Sequence, residues 1–201
     1  DENHPVVVHI RTVKECGLEV AEQNKEAFHW ILPGTLDENK EPVEFVENYT
    51  SLTRQYILDK TKDDKTVIAV NAGTPGVFGF DKEFRNILGG QYTDVGIAEE
   101  HAVAYCSALA TCGAKPIFAV MSSFIQRTYD QMSQDLCLNS SPATMLVYWG
   151  GISGADATHL CTFDIPLVSN IPNMVYLAPT NKEEYLAMLD WALAQTEHPV
   201  A

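Results

Sequence analysis

Apolar positions along this chain follow two rhythms. From Val43 to Lys60 they fall at Val43, Phe45, Val46, Tyr49, Leu52, Tyr56, Ile57 and Leu58, the spacing of a helix with one buried face. Thr66–Ala72 (TVIAVNA), Ile117–Ser122 (IFAVMS) and Thr144–Trp149 (TMLVYW) are instead short, nearly continuous apolar runs, as in strands covered on both sides. Met174–Leu177 reads as a further strand and Lys82–Leu88 as a short helix. Phe124–Leu138 reads as a helix with Phe124, Ile125, Tyr129, Met132 and Leu136 on one stripe. Thr180 and Glu183 have the spacing of a capping box, opening an amphipathic helix to about Gln195. Upstream, the β-branched run His4–Ile10 predicts a strand. Residues from Arg11 to about Pro42 mix charge, Gly and Pro without a period and predict a linker, with a helical turn or two around Glu19–Trp30. Strands alternating with helices predict an α/β fold, a largely parallel β-sheet with helices on both faces.

The segment Thr93–Gly113 (TDVGIAEEHAVAYCSALATCG) departs from the pattern of a surface helix. Its acids, Glu99 and Glu100, and His101 sit in the first turn, and the remainder is small and uncharged, so most of its length is predicted to be buried. Acids in a first turn are ordinary partners of the helix dipole, so the pattern alone leaves capping and chemistry both open. In a parallel sheet, ligands gather beyond the carboxyl ends of the strands. Here those ends lead into residues 72–81, 89–99, 121–127 and 150–163, which hold most of the unusual residues of the chain.

Composition narrows the classes. With 201 residues the chain can bury a substantial core, and a formal net charge of −14 disfavours nucleic acid and anionic membrane surfaces. The five cysteines are odd in number, widely spaced and without a CxxC pair, which predicts reduced thiols in a cytoplasmic protein. No apolar run approaches the roughly 20 residues of a membrane-spanning helix.

Three segments in order, DVGIAEEHAVAYCSALATCGAKPIFAV, MSSFIQRTYDQMSQDLCLNSSP and GISGADATH followed by FDIP, resemble a known family. It is the pyrimidine-binding domain of the 1-deoxy-D-xylulose-5-phosphate synthase and transketolase family of thiamine-diphosphate enzymes. The resemblance covers roughly residues 43–200, and HPVVVHIRT with AEQNKEAFH resembles the tail of the family's diphosphate-binding domain. It implies two parts: 1–42, a terminal strand of that preceding domain plus a linker, and 43–201, the pyrimidine-binding domain.

The resemblance also assigns roles. In the family a glutamate hydrogen-bonds a ring nitrogen of the cofactor's aminopyrimidine and promotes the tautomer that takes the proton from the thiazolium carbon. By position in AEEH that residue is Glu99, and Glu100 stands where the family usually has Gln. Phe124 stands at the aromatic that stacks on the pyrimidine, although a first position in a helical stripe fits a core role as well. Arg127 lies near the cofactor or at a domain contact, and Met121 stands where the synthases tend to carry a tyrosine. Gly73 belongs to a loop close to the cofactor, where glycine allows close backbone approach or simply makes the turn. His159, in GADATH, resembles the histidine that faces the substrate, with Asp156 before it. This loop is one residue shorter than the family's, and Leu160 replaces the usual His or Gln. That leaves His159 between a ligand contact and an ordinary loop histidine.

The chemistry implied is transfer of a two-carbon unit from pyruvate to glyceraldehyde 3-phosphate with loss of carbon dioxide, a step toward isoprenoid precursors. The alternatives are ketol transfer of the transketolase type and a non-catalytic dimerisation subunit. The family binds the cofactor's diphosphate and Mg²⁺ through a Gly-Asp-Gly…Asn motif on another domain, and Gly-Asp-Gly is absent from this sequence. The expected partners are therefore the diphosphate-binding and C-terminal domains of the same protein or of a partner chain, within a homodimer, with a small-molecule substrate. The chain is expected to be a fragment or one piece of a split enzyme, inactive alone.

Overall fold

The structure is a computed structural model that describes residues 3–29, 47–151, 159 and 162–201. The chain divides into two compact units, Asp1–Val46 and Glu47–Ala201. In the first, the described residues form one short helix, α1 (Glu19–Gln23). His4–Ile10 is not a strand: it forms no ladder, and Val7 and Val8 are 93% and 74% exposed. β-branched composition favours a pleated, half-buried surface, and among the described residues no strand pairs with this one to complete it. The remainder of the predicted linker, residues 30–42, lies outside the described residues, as do residues 43–46 at the predicted start of the next helix.

The second unit carries the fold. Its elements are α2 (Tyr49–Asp63), β1 (Val67–Asn71), α3 (Lys82–Leu88), β2 (Tyr92–Asp94), α4 (Glu99–Thr111) and β3 (Lys115–Met121). There follow α5 (Ser122–Ile125), α6 (Tyr129–Gln131), β4 (Thr144–Tyr148), α7 (Asp164–Ser169) and α8 (Lys182–Leu193). The strands form a four-stranded, all-parallel sheet in the order β2-β1-β3-β4. Strand residues alternate between two cores. Val67, Ala69, Ile117, Ala119 and Met121 pack with α2, α3 and α8, whereas Val70, Phe118, Val120 and Met145 pack with α4 and the segment before β4. Continuous apolar runs are what two covered faces require.

Three expectations change. Ser122–Leu138 is helical but not one α-helix: α5 passes through a 3₁₀ turn (Gln126–Thr128) into α6 and then a π-helical stretch (Met132–Leu138). The changing pitch breaks the expected stripe, so Ile125, Met132 and Leu136 are buried while Tyr129 is exposed. Met174–Leu177 forms no ladder of its own. Val175 makes a single parallel bridge to Val200, which also bridges Thr144, so the chain's last residues slot between β4 and this segment. The cap of α8 lies one residue later than expected. Asn181 accepts the Glu184 N–H at 2.9 Å, and the Glu184 carboxylate accepts the Thr180 N–H at 2.9 Å. Asn is a stronger N-cap than Thr, and the expected reciprocal box is replaced by a carboxylate that reaches one residue past the cap.

Candidate active site

β1 is flanked by β2 on one side and β3 on the other, so the chain reverses its direction of progress across the sheet between β1 and β3. Such a switch point opens a crevice at the carboxyl ends of the strands. Gly73 follows β1, Glu99 starts the helix after β2, and Met121, Phe124 and Arg127 end or follow β3.

The buried residues of α4 are Glu99, Ala102, Val103, Cys106, Ser107 and Ala110. This is the i, i+3, i+4, i+7, i+8, i+11 stripe of a buried helix face, and Glu99 is its first member, only 2% exposed. Glu100 and His101 fall off the stripe and are exposed, with the His101 ring stacked near Tyr105 at 6.2 Å. Helical phase thus separates two adjacent glutamates that composition treats alike.

The buried carboxylate is met from the next element. Arg127 donates from Nη1 to Glu99 Oε2 at 3.1 Å, its own side chain 49% exposed. The same guanidinium carbon lies 6.0 Å from the centre of the Phe124 ring, and that ring meets the His159 ring edge-on at 5.6 Å and 81°. Glu99, Arg127, Phe124 and His159, drawn from three separate segments of the sequence, therefore form one chain of contacts. Met121 is buried at the end of β3, in the core beneath α2 and α8.

Gly73 has φ +75°, and a β-carbon there would lie 3.0 Å from Ile97 Cγ1 and 3.2 Å from the Ile97 backbone nitrogen. Glycine is needed both for the left-handed conformation and for the close approach of the β1 loop to the entry of α4. Asp94 ties these loops together, accepting the Gly73 N–H at 3.0 Å and the Gly96 N–H at 2.8 Å from one oxygen. In the sequence its one local signal is the Asp-x-Gly spacing to Gly96. Asp156, Leu160 and the rest of the GADAT segment lie outside the described residues. Among the described residues no group of His, Cys, Asp and Glu could hold a metal ion, and no helix is long and apolar enough to cross a membrane.

The sequence model described as "Transketolase, pyrimidine binding domain" matches residues 50–201. The 1-deoxy-D-xylulose-5-phosphate synthase of Clostridium perfringens (strain ATCC 13124) is 39% identical over 189 residues, covering 94% of this chain and 30% of that protein. The synthase of Clostridium botulinum (strain Eklund 17B) is 36% identical over 202 residues, covering 100% of this chain and 32% of that protein. The chain thus spans about a third of the length of these curated relatives. Among solved structures, a transketolase of Pichia stipitis in complex with sedoheptulose 7-phosphate superposes with a TM-score of 0.68 at 14% identity, over 79% of this chain and 25% of that one. A split-gene transketolase, titled an inactive beta4 tetramer, gives 0.64 at 18% identity, over 75% and 48%. At these identities the structures establish a shared fold.

Proposed function

We propose that this chain, which belongs to the family of transketolase pyrimidine-binding domains, supplies the pyrimidine side of a thiamine-diphosphate site in a transferase of the 1-deoxy-D-xylulose-5-phosphate synthase type. The reaction proposed is the decarboxylating condensation of pyruvate with glyceraldehyde 3-phosphate. Identity of 36–39% to synthases over nearly the whole chain supports that choice over ketol transfer. The observation that carries the site is Glu99: a carboxylate at the head of a buried helix face, at the switch point of a parallel sheet.

The residues present fit the pyrimidine end of this cofactor. One guanidinium reaches both a buried carboxylate, suited to a ring nitrogen, and an aromatic ring, suited to a flat heterocycle. Glu99 would share a proton with the aminopyrimidine, and Phe124 would offer it a flat apolar face. Arg127 orients the Glu99 carboxylate, Met121 closes the floor of the crevice, and Gly73 lets the β1 loop approach. His159, held against Phe124, would face the substrate. When bound, the cofactor supplies the nucleophilic carbon that carries the two-carbon unit. Its diphosphate and Mg²⁺ fall to a diphosphate-binding domain, as the sequence lacks Gly-Asp-Gly. In this reading residues 43–201 are the pyrimidine-binding domain, residues 1–42 are the end of the diphosphate-binding domain with its linker, and the complete site forms in a homodimer.

The test uses the full-length protein. With thiamine diphosphate, Mg²⁺, pyruvate and glyceraldehyde 3-phosphate it should release carbon dioxide and form the five-carbon product. Glu99→Gln, which keeps shape but cannot share the proton in the same way, should lower kcat by at least about 100-fold with an unchanged unfolding midpoint. Undiminished turnover by the variant would overturn the assignment of Glu99. Turnover only with a ketose phosphate donor would move the protein to ketol transfer, and inactivity with every donor would make it a non-catalytic module.

A further inference from the structure

β1 ends on a residue that its place in the sheet does not call for. The strand is central, with β2 on one side and β3 on the other, and Asn71 is fully buried at its carboxyl end. Asparagine is depleted in strands, and an enclosed carboxamide is costly unless it is bonded. The alternation that gives Val67 and Ala69 to the core beneath α2, α3 and α8 puts Asn71 on that same face, where an apolar residue would pack as well. Its bonds reach two different segments. Oδ1 accepts the Thr74 N–H at 3.0 Å, and Nδ2 donates to the Ala119 carbonyl of β3 at 3.4 Å.

Asn71 stands in register with Asp94 of β2 and Ala119 of β3, and its own carbonyl accepts the Val95 N–H at 3.0 Å. Two side chains of one row across the sheet therefore hold the turn after β1. Asp94 takes the Gly73 N–H and Asn71 the Thr74 N–H. That turn bears on Glu99, because Gly73 lies against Ile97, two residues before α4 begins. Nothing within α4 fixes its own start: Ala98, at the N-cap, brings no side-chain bond to the first turn. The placement of Glu99 depends on what Gly73 and Asp94 do to the approach, and close-packed neighbours pass a shift on instead of absorbing it.

We infer that Asn71 is a positioning residue. Bonded to Thr74 and to Ala119, it fixes the turn that abuts Ile97, and through that contact it sets where the Glu99 carboxylate stands in the crevice. The inference rests on the proposed role of Glu99 toward the cofactor. It assigns to Asn71 an effect on the step that Glu99 serves and none on how tightly the donor substrate is held.

The test uses the full-length protein and begins with a readout that needs no activity. Asn71→Leu keeps the bulk and removes both bonds, so deuterium exchange at the Gly73 and Thr74 amides should be about tenfold faster than in the parent. Its kcat should fall about tenfold, with the KM for the donor substrate within about twofold. In a Glu99→Gln background the same substitution should lower kcat no further. Asn71→Ala, which removes the same bonds without branched bulk, should behave alike. Asn71→Asp keeps the oxygen that accepts the Thr74 N–H, and burial favours its protonated form, which can donate to Ala119; its exchange and kcat should stay within about threefold of the parent. Unchanged exchange in both Asn71→Leu and Asn71→Ala would overturn the hold on the turn. A further fall of kcat in the Glu99→Gln background, or an equal loss in Asn71→Asp, would overturn the action through Glu99. A parent that turns over no donor, while the exchange difference stands, would overturn the functional reading of Glu99 and not the hold on the turn.

Discussion

At the residue scale, the decisive contact is the Glu99–Arg127 pair. The carboxylate is almost wholly enclosed while its guanidinium partner is half exposed, so the two ends of the pair are unequal in what they lose on burial. Removing Arg127 strands a charge in the core; removing Glu99 merely returns an arginine to water. A fully buried pair loses about 3–5 kcal/mol when one partner is deleted, and the exposure of Arg127 discounts this to about 1–3 kcal/mol. Arg127→Met should therefore destabilise the protein at neutral pH by that amount in urea titrations, and adding Glu99→Gln should recover most of the loss. A double variant no more stable than Arg127→Met would show that the arginine stabilises through its stem and not through the charge.

At the element scale, α2, α8 and the end of β4 meet at one hydroxyl, beside the bond from the Tyr148 hydroxyl to the Tyr49 carbonyl at 3.1 Å. Thr53 on α2 gives its Oγ1 to the Tyr49 carbonyl at 2.7 Å and contacts the hydroxyls of Tyr148 on β4 and Tyr185 on α8. Burial pushes both phenols above their ordinary range, so they stay protonated and require partners. Thr53→Val keeps the volume and removes the shared group. It should cost about 1–3 kcal/mol, seen as a lower urea midpoint with an unchanged slope; a loss under about 0.5 kcal/mol would mean that the tyrosines find other partners. The network also marks where the sequence stops being legible. β1, β3 and β4 could be read because burial on both faces leaves long apolar runs. β2 could not, being three residues at the sheet edge, polar and half buried. The bridging of Val200 to both Thr144 and Val175 is a matter of register between distant segments, on which local pattern is silent. The pitch changes in Ser122–Leu138 likewise leave no periodic trace. In the site, Glu99 was legible through the resemblance that places it in AEEH, since the residue pattern alone left capping and chemistry both open. The role of Asp94 was not, because the Gly73 N–H it holds lies 21 residues away in the chain.

At the scale of the whole parallel sheet, the residues proposed to act lie beyond the carboxyl ends of the strands, and an ion pair that joins two strands' starts lies at the amino ends. Asp64, between α2 and β1, is bonded to the Lys115 ammonium at the start of β3 (2.8 Å) and to the Thr66 backbone N–H (2.9 Å). The lysine and then Thr66 hold its pKa down to about 2. A folded-state pKa below the unfolded one means that the unfolded chain binds more protons, so stability rises with pH across the interval between the two. The contribution of Asp64 is thus complete above about pH 4, where even an unfolded aspartate is ionised, and disappears as the pH falls through about 2. Asp64→Asn should lower the melting temperature at pH 7, and the gap from the parent should close steadily between about pH 4 and pH 2. Because five residues of β1, about 17 Å of strand, separate this contact from the crevice, the same variant should leave thiamine-diphosphate affinity at pH 7 unchanged. A gap that persists at pH 2 would trace the loss to packing at position 64, and a weakened cofactor would show that the two ends of the sheet are coupled.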